Sequence, residues 1–416
     1  MSRVIVLGAL ALVLAVLGMA TLNGAVIALA IAPAIFIGAA LLDAPGELRL
    51  RAERVLSAER AGAGAPVTVR VTVSNDSAQE VQALIEDRVP GTLKLVEGQP
   101  ALLVRLVPGA TATLEYTIQG SRGFHHFNRL HVTATDRLGI VQLRTSVAAP
   151  GKLLIVPEVM RLARLGIRPR RTRVYSGMIP ARQGGPGVEF FGVRDYQPGD
   201  PVRWINERAS ARFPGSLYVN EFEQERVADI GIILDARRSS DVQGDGQTLF
   251  EYGVQAAAAF ADALIGQGNR VGLLIYGNAI EWTFPGYGKM QREKLLRALA
   301  RARTGDRAAL ASLGDVPTRL FPARSQIVLV SPLQPGDAPA IIGMRAHGYE
   351  VLIVSPDPVA FEMAHLGAMA ALATRIARVE RNSLLRRLRH AGARVVDWQV
   401  EVSLAQVCNA ALTDRR

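Results

Sequence analysis

The stretch that decides how the chain is organised covers residues 184–212 and reads GGPGVEFFGVRDYQPGDPVRWINERASAR. A Pro-Gly dipeptide at residues 198–199 predicts a turn, because proline presets its own backbone angle and glycine accepts a positive φ. Asp200 follows at a position typical of a helix N-cap, and Pro201 stands where the first helical residue belongs. The pattern therefore predicts a helix over residues 202–211.

Two interpretations of this stretch remain open. On the predicted helix, Arg203 and Glu207 would lie four residues apart, where opposite charges stabilise a surface helix by only about 0.2–0.5 kcal/mol. With a strand at residues 189–193 before it, the helix would then be an ordinary capped surface helix. Alternatively, the dense charges brace the neighbouring sheet or form a binding surface. The stretch contains no catalytic triad, metal-ligand cluster or phosphate-binding loop.

The order of residues here resembles the signature of the bacterial and archaeal family called domain of unknown function 58. The matching residues are Glu189, Phe190, Gly192, Arg194, Tyr196, Pro198, Gly199, Asp200, Arg203, Ile205, Ser210, Ala211 and Arg212. One position departs from the pattern, because Glu207 stands where that family usually has tryptophan. We refer to residues 184–228 as the signature segment. Its expected binding-surface residues are Glu189, Arg194, Tyr196, Asp200, Arg203 and Arg212.

Length and composition narrow the class of protein. The 416 residues suffice for two or three domains. The net charge of +11 suits anionic lipid or nucleic acid, but no nucleic-acid-binding motif accompanies it, so no nucleic acid partner is expected. Cys408 is the one cysteine, which excludes an internal disulfide and a cysteine-rich zinc site. The six histidines form no spaced ligand motif, which argues against a metallohydrolase.

Two apolar runs, residues 4–20 and 25–42, dominate the N-terminal part. Neither contains a charge, and each is long enough for a bilayer core about 30 Å thick. A signal peptide would leave the second run unexplained, and a buried core hairpin is the other alternative. We therefore expect a two-span membrane hairpin over residues 1–46, with the lipid bilayer as a partner.

The basic residues that flank the two apolar runs indicate the orientation. Arg3 precedes the first run and Arg49, Arg51, Arg54 and Arg60 follow the second, whereas residues 21–24 contain no Lys or Arg. By the positive-inside rule, both termini are expected in the cytoplasm, with the hairpin in the inner (cytoplasmic) membrane.

Residues 47–157 show short alternating runs separated by Gly, Pro, Asn and Asp, which predicts an immunoglobulin-like β-sandwich. A basic linker is expected over residues 158–183, and its arginines would lie in solvent or hold anionic lipid. These arginines are Arg161, Arg164, Arg168, Arg170, Arg171 and Arg173.

Strands alternate with helices over residues 229–416, which predicts a doubly wound parallel sheet with helices on both faces. Residues 280–284 are expected to add an antiparallel edge strand. This arrangement resembles a von Willebrand factor A domain, to which the signature family is related. Such domains hold Mg²⁺ through Asp-x-Ser-x-Ser after the first strand, a later Thr and an Asp after the fourth strand.

The corresponding residues here are Asp235, Ser239, Thr304 and Ser331, and they form a degraded version of that site. Arg237 replaces the first serine. A guanidinium about 4 Å from a divalent cation would cost about 8 kcal/mol at an effective dielectric constant of about 20. We therefore expect Arg237 to pair with Asp235 and no cofactor, Mg²⁺ included, to bind.

The sequence contains no phosphate-binding loop, no Gly-x-Ser-x-Gly elbow and no His-Glu-x-x-His. The resemblance implies a membrane-anchored, cytosol-facing scaffold or adaptor that works with a MoxR-type AAA+ ATPase to assemble or mature other proteins. The alternative is a membrane-surface hydrolase that uses Asp200, Arg203 or Asp235. An extracytoplasmic adhesion protein would need the opposite orientation and an intact metal motif.

Overall fold

The computed structural model describes residues 3–42, 44, 46, 48–162, 165, 172–213, 215–244, 246–277, 279–305, 312–317, 320–363 and 371–413. Their side chains are described too, apart from those of residues 172–189, 223–226, 315 and 413. The chain forms two compact units, Met1–Val156 (unit 1) and Pro157–Arg416 (unit 2).

Unit 1 begins with two apolar helices, α1 (Arg3–Ala20) and α2 (Gly24–Leu42). Their mean hydropathies are 2.5 and 2.6, and most of their side chains are exposed, as expected for surfaces that face lipid. A Cβ atom on Gly18 would lie 2.6 Å from Ile27 Cγ1, so glycine is needed where the helices meet. Both helices are long and apolar enough to cross a membrane.

The rest of unit 1 is β structure in two sheets, ordered β1-β3-β7-β5 and β2-β9-β8-β4-β6. All neighbours are antiparallel except β2 and β9. The strands are β1 Leu50–Leu56, β2 Arg60–Gly62, β3 Val67–Asn75, β4 Val81–Asp87, β5 Leu93–Gly98, β6 Ala101–Leu106, β7 Thr111–Gly120, β8 Gly123–Thr135 and β9 Gln142–Val156.

Both sheets contribute side chains to one apolar core. Val69 and Val71 of β3 come from the first sheet, and Ile85 and Leu130 come from β4 and β8 of the second. Along β3, buried positions alternate with more exposed ones, because side chains on a strand point to opposite faces. The predicted β structure of this region is confirmed, and its immunoglobulin-like assignment stays a prediction.

A buried ion pair ties this core together. Arg54 donates hydrogen bonds from Nε and Nη2 to the carboxylate of Asp87, at 3.2 and 2.6 Å. The Tyr116 hydroxyl donates to the same carboxylate at 2.7 Å, and Arg54 also donates to the carbonyl of Ala149. Burial and the Asp87 carboxylate raise the pKa of Tyr116 above its ordinary value. The tyrosine therefore remains a neutral donor.

Unit 2 contains a mostly parallel sheet ordered β13-β12-β11-β14-β15-β16, in which β13 is an antiparallel edge strand and β10 pairs with β11. Its strands are β10 Thr172–Asp195, β11 Tyr218–Asp235, β12 Arg270–Tyr276, β13 Glu281–Gly286, β14 Gln326–Val330, β15 Glu350–Pro356 and β16 Arg394–Trp398. Its α-helices are α3 Glu207–Ser210, α4 Leu249–Gly266, α5 Gly288–Arg301, α6 Ala338–Ala346, α7 Pro358–Met363, α8 Ala371–His390 and α9 Leu404–Thr413. Short 3-10 helices occur at Val202–Trp204, Arg238–Ser240, Leu313–Asp315 and Pro335–Asp337.

Helices cover both faces of this sheet. On one face, Ile233 and Leu329 pack with residues of α6 and α8. On the other, α4 lies so close that Leu234 and Val330 would contact a Cβ atom on its Gly253. The predicted parallel sheet, its covering helices and the antiparallel edge strand are confirmed, and the von Willebrand factor A assignment stays a prediction.

Strand β11 takes part in two different kinds of strand pairing. Its first part pairs antiparallel with β10, and residues 229–235 form the centre of the parallel sheet. Residues 172–183, which the sequence places in the basic linker, therefore lie in β10. Of the arginines in that run, Arg161 is exposed. The others lie outside the described residues or side chains, namely Arg164, Arg168, Arg170, Arg171 and Arg173.

Replacing Asp87 with alanine should strongly destabilise unit 1. The change leaves the buried Arg54 guanidinium unpaired, which typically costs about 3–5 kcal/mol. Protection of core amides against hydrogen exchange should fall by roughly 10²–10⁴-fold, measured on the full chain in detergent by mass spectrometry.

Glu115→Ala is the matched control, because it removes an exposed partner of Arg70 in the same β structure. Exposed pairs contribute about 0–1 kcal/mol, so exchange should change little. Similar effects of the two substitutions would contradict the importance of the buried pair.

Candidate functional site

The strand order of the unit 2 sheet reverses at β11, and we call the carboxyl edge between β11 and β14 the crevice. The chain leaves β11 towards β12 on one side, and β14 lies on the other side. In open α/β sheets, ligands bind where the strand order reverses in this way. Asp235 ends β11, and Ser331 follows β14. This point of the fold is therefore the first candidate site.

The guanidinium of Arg237 fills this crevice between two carboxylates. It donates to Asp235 from Nε at 3.0 Å and from Nη2 at 2.8 Å. It also donates to Asp337 from Nη1 at 2.9 Å and from Nη2 at 2.7 Å. All three side chains are buried. The predicted pairing of Arg237 with Asp235 is confirmed, and Asp337 is a second partner that the sequence did not indicate.

Two hydroxyl groups complete the surroundings of Asp235. Ser240 and Ser331 donate to its Oδ2 atom at 2.8 and 2.7 Å. The backbone N–H of Arg237 donates to Oδ1 at 3.0 Å. Every oxygen of Asp235 is thus engaged. We call Asp235, Arg237, Ser240, Ser331 and Asp337 the Arg237 cluster.

The structure places two of the predicted metal ligands outside this cluster. Ser239 accepts a hydrogen bond from the Gln334 side chain, and Thr304 donates to Asp241 at 3.2 Å. The 3-10 helix at Arg238–Ser240 turns the next serine, Ser240, towards Asp235. The Asp-x-Ser-x-Ser pattern assumes a fixed spacing between the aspartate and the serines. It does not indicate that a 3-10 turn brings the next serine to the aspartate instead.

The sequence around Asp337 contains a signal for a helix start, but none for its contact with Arg237. Gln334-Pro-Gly-Asp337 precedes α6, and in the structure Gln334 and Asp337 form a reciprocal capping box. This pattern predicts a helix start. Its carboxylate, however, also reaches Arg237, which lies 100 positions earlier in the chain. That second contact depends on the sheet and could not be read from local sequence.

Electrostatics keep Arg237 charged. Burial alone would lower its pKa, but hydrogen bonds to Asp235 and Asp337 outweigh burial, and the net shift is upward. The ring of Tyr276 lies 5.5 Å from the guanidinium carbon. Burial and the charge of Asp235 raise the pKa of this tyrosine, so it remains neutral. A permanent cation therefore occupies the centre of the cluster.

These residues do not fit a divalent cation while Arg237 lies between the carboxylates. The guanidinium already takes the oxygen atoms that a hard cation would need. Gly277 brings the chain close behind the cluster, since its φ is 137° and a Cβ atom there would lie 2.3 Å from the Ala236 backbone. The arrangement is that of a closed structural ion cluster.

A second buried arginine lies at the ends of β15 and β16. Arg381 donates to Asp397 at 2.6 Å and to the carbonyl of Pro332 at 2.9 Å, and its Nε lies 3.3 Å from Asp357. Arg378 donates to Asp357 at 2.6 Å. These residues were not predicted, because they come from three separate segments. The hydrogen bonds and ion pairs of Arg378 and Arg381 thus occupy the carboxylates at the ends of β15 and β16, next to the Arg237 cluster.

The signature segment is organised around a different ion pair. Arg194 donates from Nη1 and Nη2 to the two oxygens of Asp200, both at 2.7 Å. Asp200 also accepts from the backbone N–H of Gln197 at 2.8 Å. These contacts lower the pKa of Asp200 to about 2, with the Arg194 hydrogen bonds the larger cause. The pair fixes the turn between β10 and the following 3-10 helix.

The predicted helix at residues 202–211 is wrong in its start and continuity. A 3-10 helix at Val202–Trp204 comes first, and α3 begins only at Glu207, with Asn206 as its N-cap. Asp200 does not cap a helix, because Arg194 has taken its carboxylate. Arg203 and Glu207 lie on separate elements, so the expected four-residue pairing on one helix is lost.

The other expected binding residues have varied surroundings. Arg203 and Arg212 are exposed, and Tyr196 is half-buried with its backbone N–H bonded to Leu217. Glu189 belongs to β10, but its side chain is outside the described set. Asn206 also donates to the Asn220 side chain at 2.7 Å, and Trp204 packs edge-to-face on Phe222. The segment is thus held firmly onto β11.

Comparisons with known proteins agree with the resemblance over part of the chain. The family model described as "Protein of unknown function DUF58" matches residues 192–371. The uncharacterized protein YeaD of Bacillus subtilis is 28% identical over 198 residues, 47% of each chain. The uncharacterized protein Rv1480 of Mycobacterium tuberculosis is 31% identical over 161 residues, 38% of this chain and 49% of that protein.

The chain spans about half the length of these curated relatives, 47% and 49%. The matched residues 192–371 include the Arg194–Asp200 pair and the Arg237 cluster. Among solved structures, E. coli alpha-2-macroglobulin is 15% identical and covers 31% of this chain and 8% of its own, with a TM-score of 0.20. A similarity of this size carries no argument about fold or function.

Removing Arg237 should open the cluster to a metal ion. The unaltered full chain should show no Mg²⁺ binding at this site by calorimetry. Arg237→Ser should lower the stability of unit 2 by about 3–5 kcal/mol, because two buried carboxylates lose their cation. Mg²⁺ should then raise the unfolding midpoint of this variant, since oxygen ligands become free.

Arg381→Ser is the matched control, because it also removes a buried arginine that bridges two aspartates. Its stability should fall similarly but without rescue by Mg²⁺. Strong Mg²⁺ binding by the unaltered protein, abolished by Asp235→Ala, would contradict the closed cluster even if Arg237→Ser fails to fold.

Removing the Asp200 carboxylate should loosen the signature segment. Asp200→Ala leaves Arg194 without its bidentate partner, so trypsin should cleave after Arg203, Arg208 or Arg212 several-fold faster in the full chain. The folded pKa of about 2 lies below the ordinary 3.8. The contribution of the pair is therefore complete above about pH 4 and is lost as the pH falls through about 2.

The control is Asp195→Ala, since Asp195 is exposed and its contact with Arg194 uses the backbone carbonyl. Its cleavage rate should match that of the unaltered protein throughout the trypsin working range, pH 7 and above. Equal rates for Asp200→Ala and Asp195→Ala would show that the ion pair does not hold the segment.

Proposed function

We propose that the protein is a membrane-anchored, cytosol-facing scaffold or adaptor that binds a partner protein through its signature segment. The observation that carries this proposal is the exposed apolar surface of that segment. Its large exposed side chains are Phe190, Phe191, Val193, Val202, Phe213 and Leu217, with exposed fractions between 42% and 74%. So many exposed apolar side chains on one short segment are typical of a surface that binds another protein.

These side chains stand on a rigid support, which favours binding over disorder. Phe190, Phe191 and Val193 all lie on β10, where residues 190–195 pair with residues 218–222 of β11 through one irregularity between Phe190 and Gly192. The Arg194–Asp200 pair and the cap of α3 by Asn206 fix the neighbouring turns. Aromatic residues on a preorganised surface provide most of the energy at many interfaces, because little conformational entropy is lost on binding.

The exposed arginines add a charge preference to this surface. Arg203, Arg208 and Arg212 are exposed beside the apolar side chains, and the nearby Glu207 is their one acidic neighbour on α3. An apolar partner surface with acidic residues at its rim would complement them. This complementarity favours a protein partner of defined chemistry.

The proposed partner is a MoxR-type AAA+ ATPase, with a client protein that is assembled or matured by the pair. This part rests on the resemblance to the domain of unknown function 58 family, which the match over residues 192–371 supports. The immunoglobulin-like and von Willebrand factor A-like assignments belong to the same proposal. So does the inner membrane location with both termini in the cytoplasm, for which the flanking arginines argue.

The hydrolase alternative has no observation in its favour. Asp235 is buried and accepts five hydrogen bonds, so its carboxylate is not available to a substrate. Asp200 is bound by Arg194 on both oxygens. Arg203 is exposed, and its side chain makes no hydrogen bond or ion pair with the residues that the structure describes. The scaffold proposal therefore has more support.

Capture of partners tests the proposal. The tagged full chain should be solubilised in mild detergent, with and without ATP, and its partners identified by mass spectrometry. An AAA+ ATPase of the MoxR type should be recovered in at least one condition. Phe190→Ser should reduce its recovery about tenfold or more, since a buried aromatic at an interface contributes about 2 kcal/mol.

Phe284→Ser is the matched control, because Phe284 is also exposed (73%, against 63% for Phe190) but lies on β13. Recovery should be unchanged in this variant. The proposal fails if no AAA+ ATPase is captured in either condition. An equal loss of ATPase recovery in both variants would show that the interface does not lie on the signature segment.

A further inference from the structure

Helix α8 has an apolar stripe that the sheet does not use. Leu372, Ile376 and Val379 are 69%, 54% and 68% exposed. Their spacing of four and three residues places them on one face of the helix. None of the residues 371–380 is buried, and the first half of α8 is tied to the sheet through Arg378, which donates to Asp357. We call these three residues the α8 stripe.

The stripe is distinct from the face that packs into unit 2. The buried residues of α8 are Arg381, Leu385 and Leu388, in its second half. At 3.6 residues per turn, the centre of this buried face lies about 180° from the centre of the α8 stripe. The helix therefore has two apolar faces, and the core accounts for only one of them.

Arg375 borders the α8 stripe, and three further exposed arginines follow it towards the C-terminal end of the helix. Arg375, Arg386, Arg387 and Arg389 are exposed, and their side chains make no hydrogen bond or ion pair within the described part of the chain. By contrast, Arg378 and Arg381 are held by Asp357 and Asp397. Glu380 is the one acidic residue of the helix. Charge and apolar surface are thus arranged along one side of α8.

We propose that α8 docks in the plane of an anionic lipid surface through the α8 stripe and the exposed arginines that border and follow it. A helix with an apolar face bordered by arginines suits the boundary between headgroups and acyl chains, where the apolar residues enter and the cations meet phosphates. The helices α1 and α2 are long and apolar enough to anchor the same chain, which keeps unit 2 at high effective concentration near lipid. Charge complementarity therefore favours lipid as the occupant.

A fluorescent probe at Ser383 can report docking without altering the α8 stripe. Ser383 is exposed and lies four residues after Val379, on the same side of the helix. The full chain carrying Ser383→Cys would be labelled with an environment-sensitive dye. Cys408 is buried and burial raises its pKa to about 12, so it should not react at neutral pH.

The labelled chain would be placed in lipid nanodiscs, which leave both membrane surfaces accessible. Emission should shift to the blue in discs that contain phosphatidylglycerol and remain unshifted in discs of phosphatidylcholine alone. Salt at about 1 M should reverse the shift, because the screening length then falls to about 3 Å. These expectations need no substitution in the arginines.

Substitution of two of these exposed arginines then tests the charge contribution. Arg386→Gln with Arg387→Gln should lower the ratio of docked to undocked protein about 30-fold, at about 1 kcal/mol for each arginine. The matched control is Arg88→Gln with Arg144→Gln, which removes the same charge from exposed positions of unit 1. The control should behave like the parent protein.

Three results would overturn the proposal. The first is an emission spectrum that is the same in both lipids. The second is an equal loss of docking in the α8 and control variants. The third is a blue shift that depends on the number of chains per disc and not on lipid composition, which would assign the α8 stripe to a second copy of this chain.

Discussion

The position of the Arg237 guanidinium between Asp235 and Asp337 is the constraint on which the carboxyl edge of unit 2 depends. Two buried carboxylates from distant segments meet there, and each would be costly to bury alone. A planar cation with five N–H donors can satisfy both, whereas a lysine could not bind both in the same geometry. The loop after β11 and the start of α6 are thus joined through one side chain.

The same solution recurs elsewhere in the molecule. Arg381 joins Asp357 and Asp397 at the ends of β15 and β16, and Arg54 joins Asp87 to the core of unit 1. Buried pairs of this kind add little net stability compared with apolar packing, but breaking one is costly. They therefore specify which segments come together. At the edge of the sheet, the carboxylates of these clusters therefore already accept hydrogen bonds from arginines of the protein itself.

The sequence predicts regular elements better than it predicts contacts. Apolar strands separated by amphipathic helices indicated the parallel sheet, because burial on both faces requires continuous apolar runs. The pairing of Asp235 with Arg237 was predicted because Arg237 replaces a serine that would bind a cation together with Asp235. Asp337 could not be added, since its contact with Arg237 forms only when β14 lies beside β11.

The helix start at Asp200 failed for a related reason. Local rules favour an aspartate before a proline as an N-cap, but they do not include a competing guanidinium from the preceding strand. The choice of Ser239 failed because a 3-10 turn changed which serine faces Asp235. In both cases, the local residue pattern was overruled: by a contact with a preceding strand at Asp200, and by the type of turn at Ser239.

These contacts also change what the signature segment offers to a partner. Arg194 and Asp200 were expected on a binding surface, yet each binds the other through two hydrogen bonds, so both are first of all structural partners of one another. Their role is to hold the turn that carries the neighbouring apolar residues. Recognition would then fall to Phe190, Phe191 and the exposed arginines, whose side chains the fold does not require. A polar pattern in the sequence thus marks the platform, and the apolar residues beside it mark the interface that we propose.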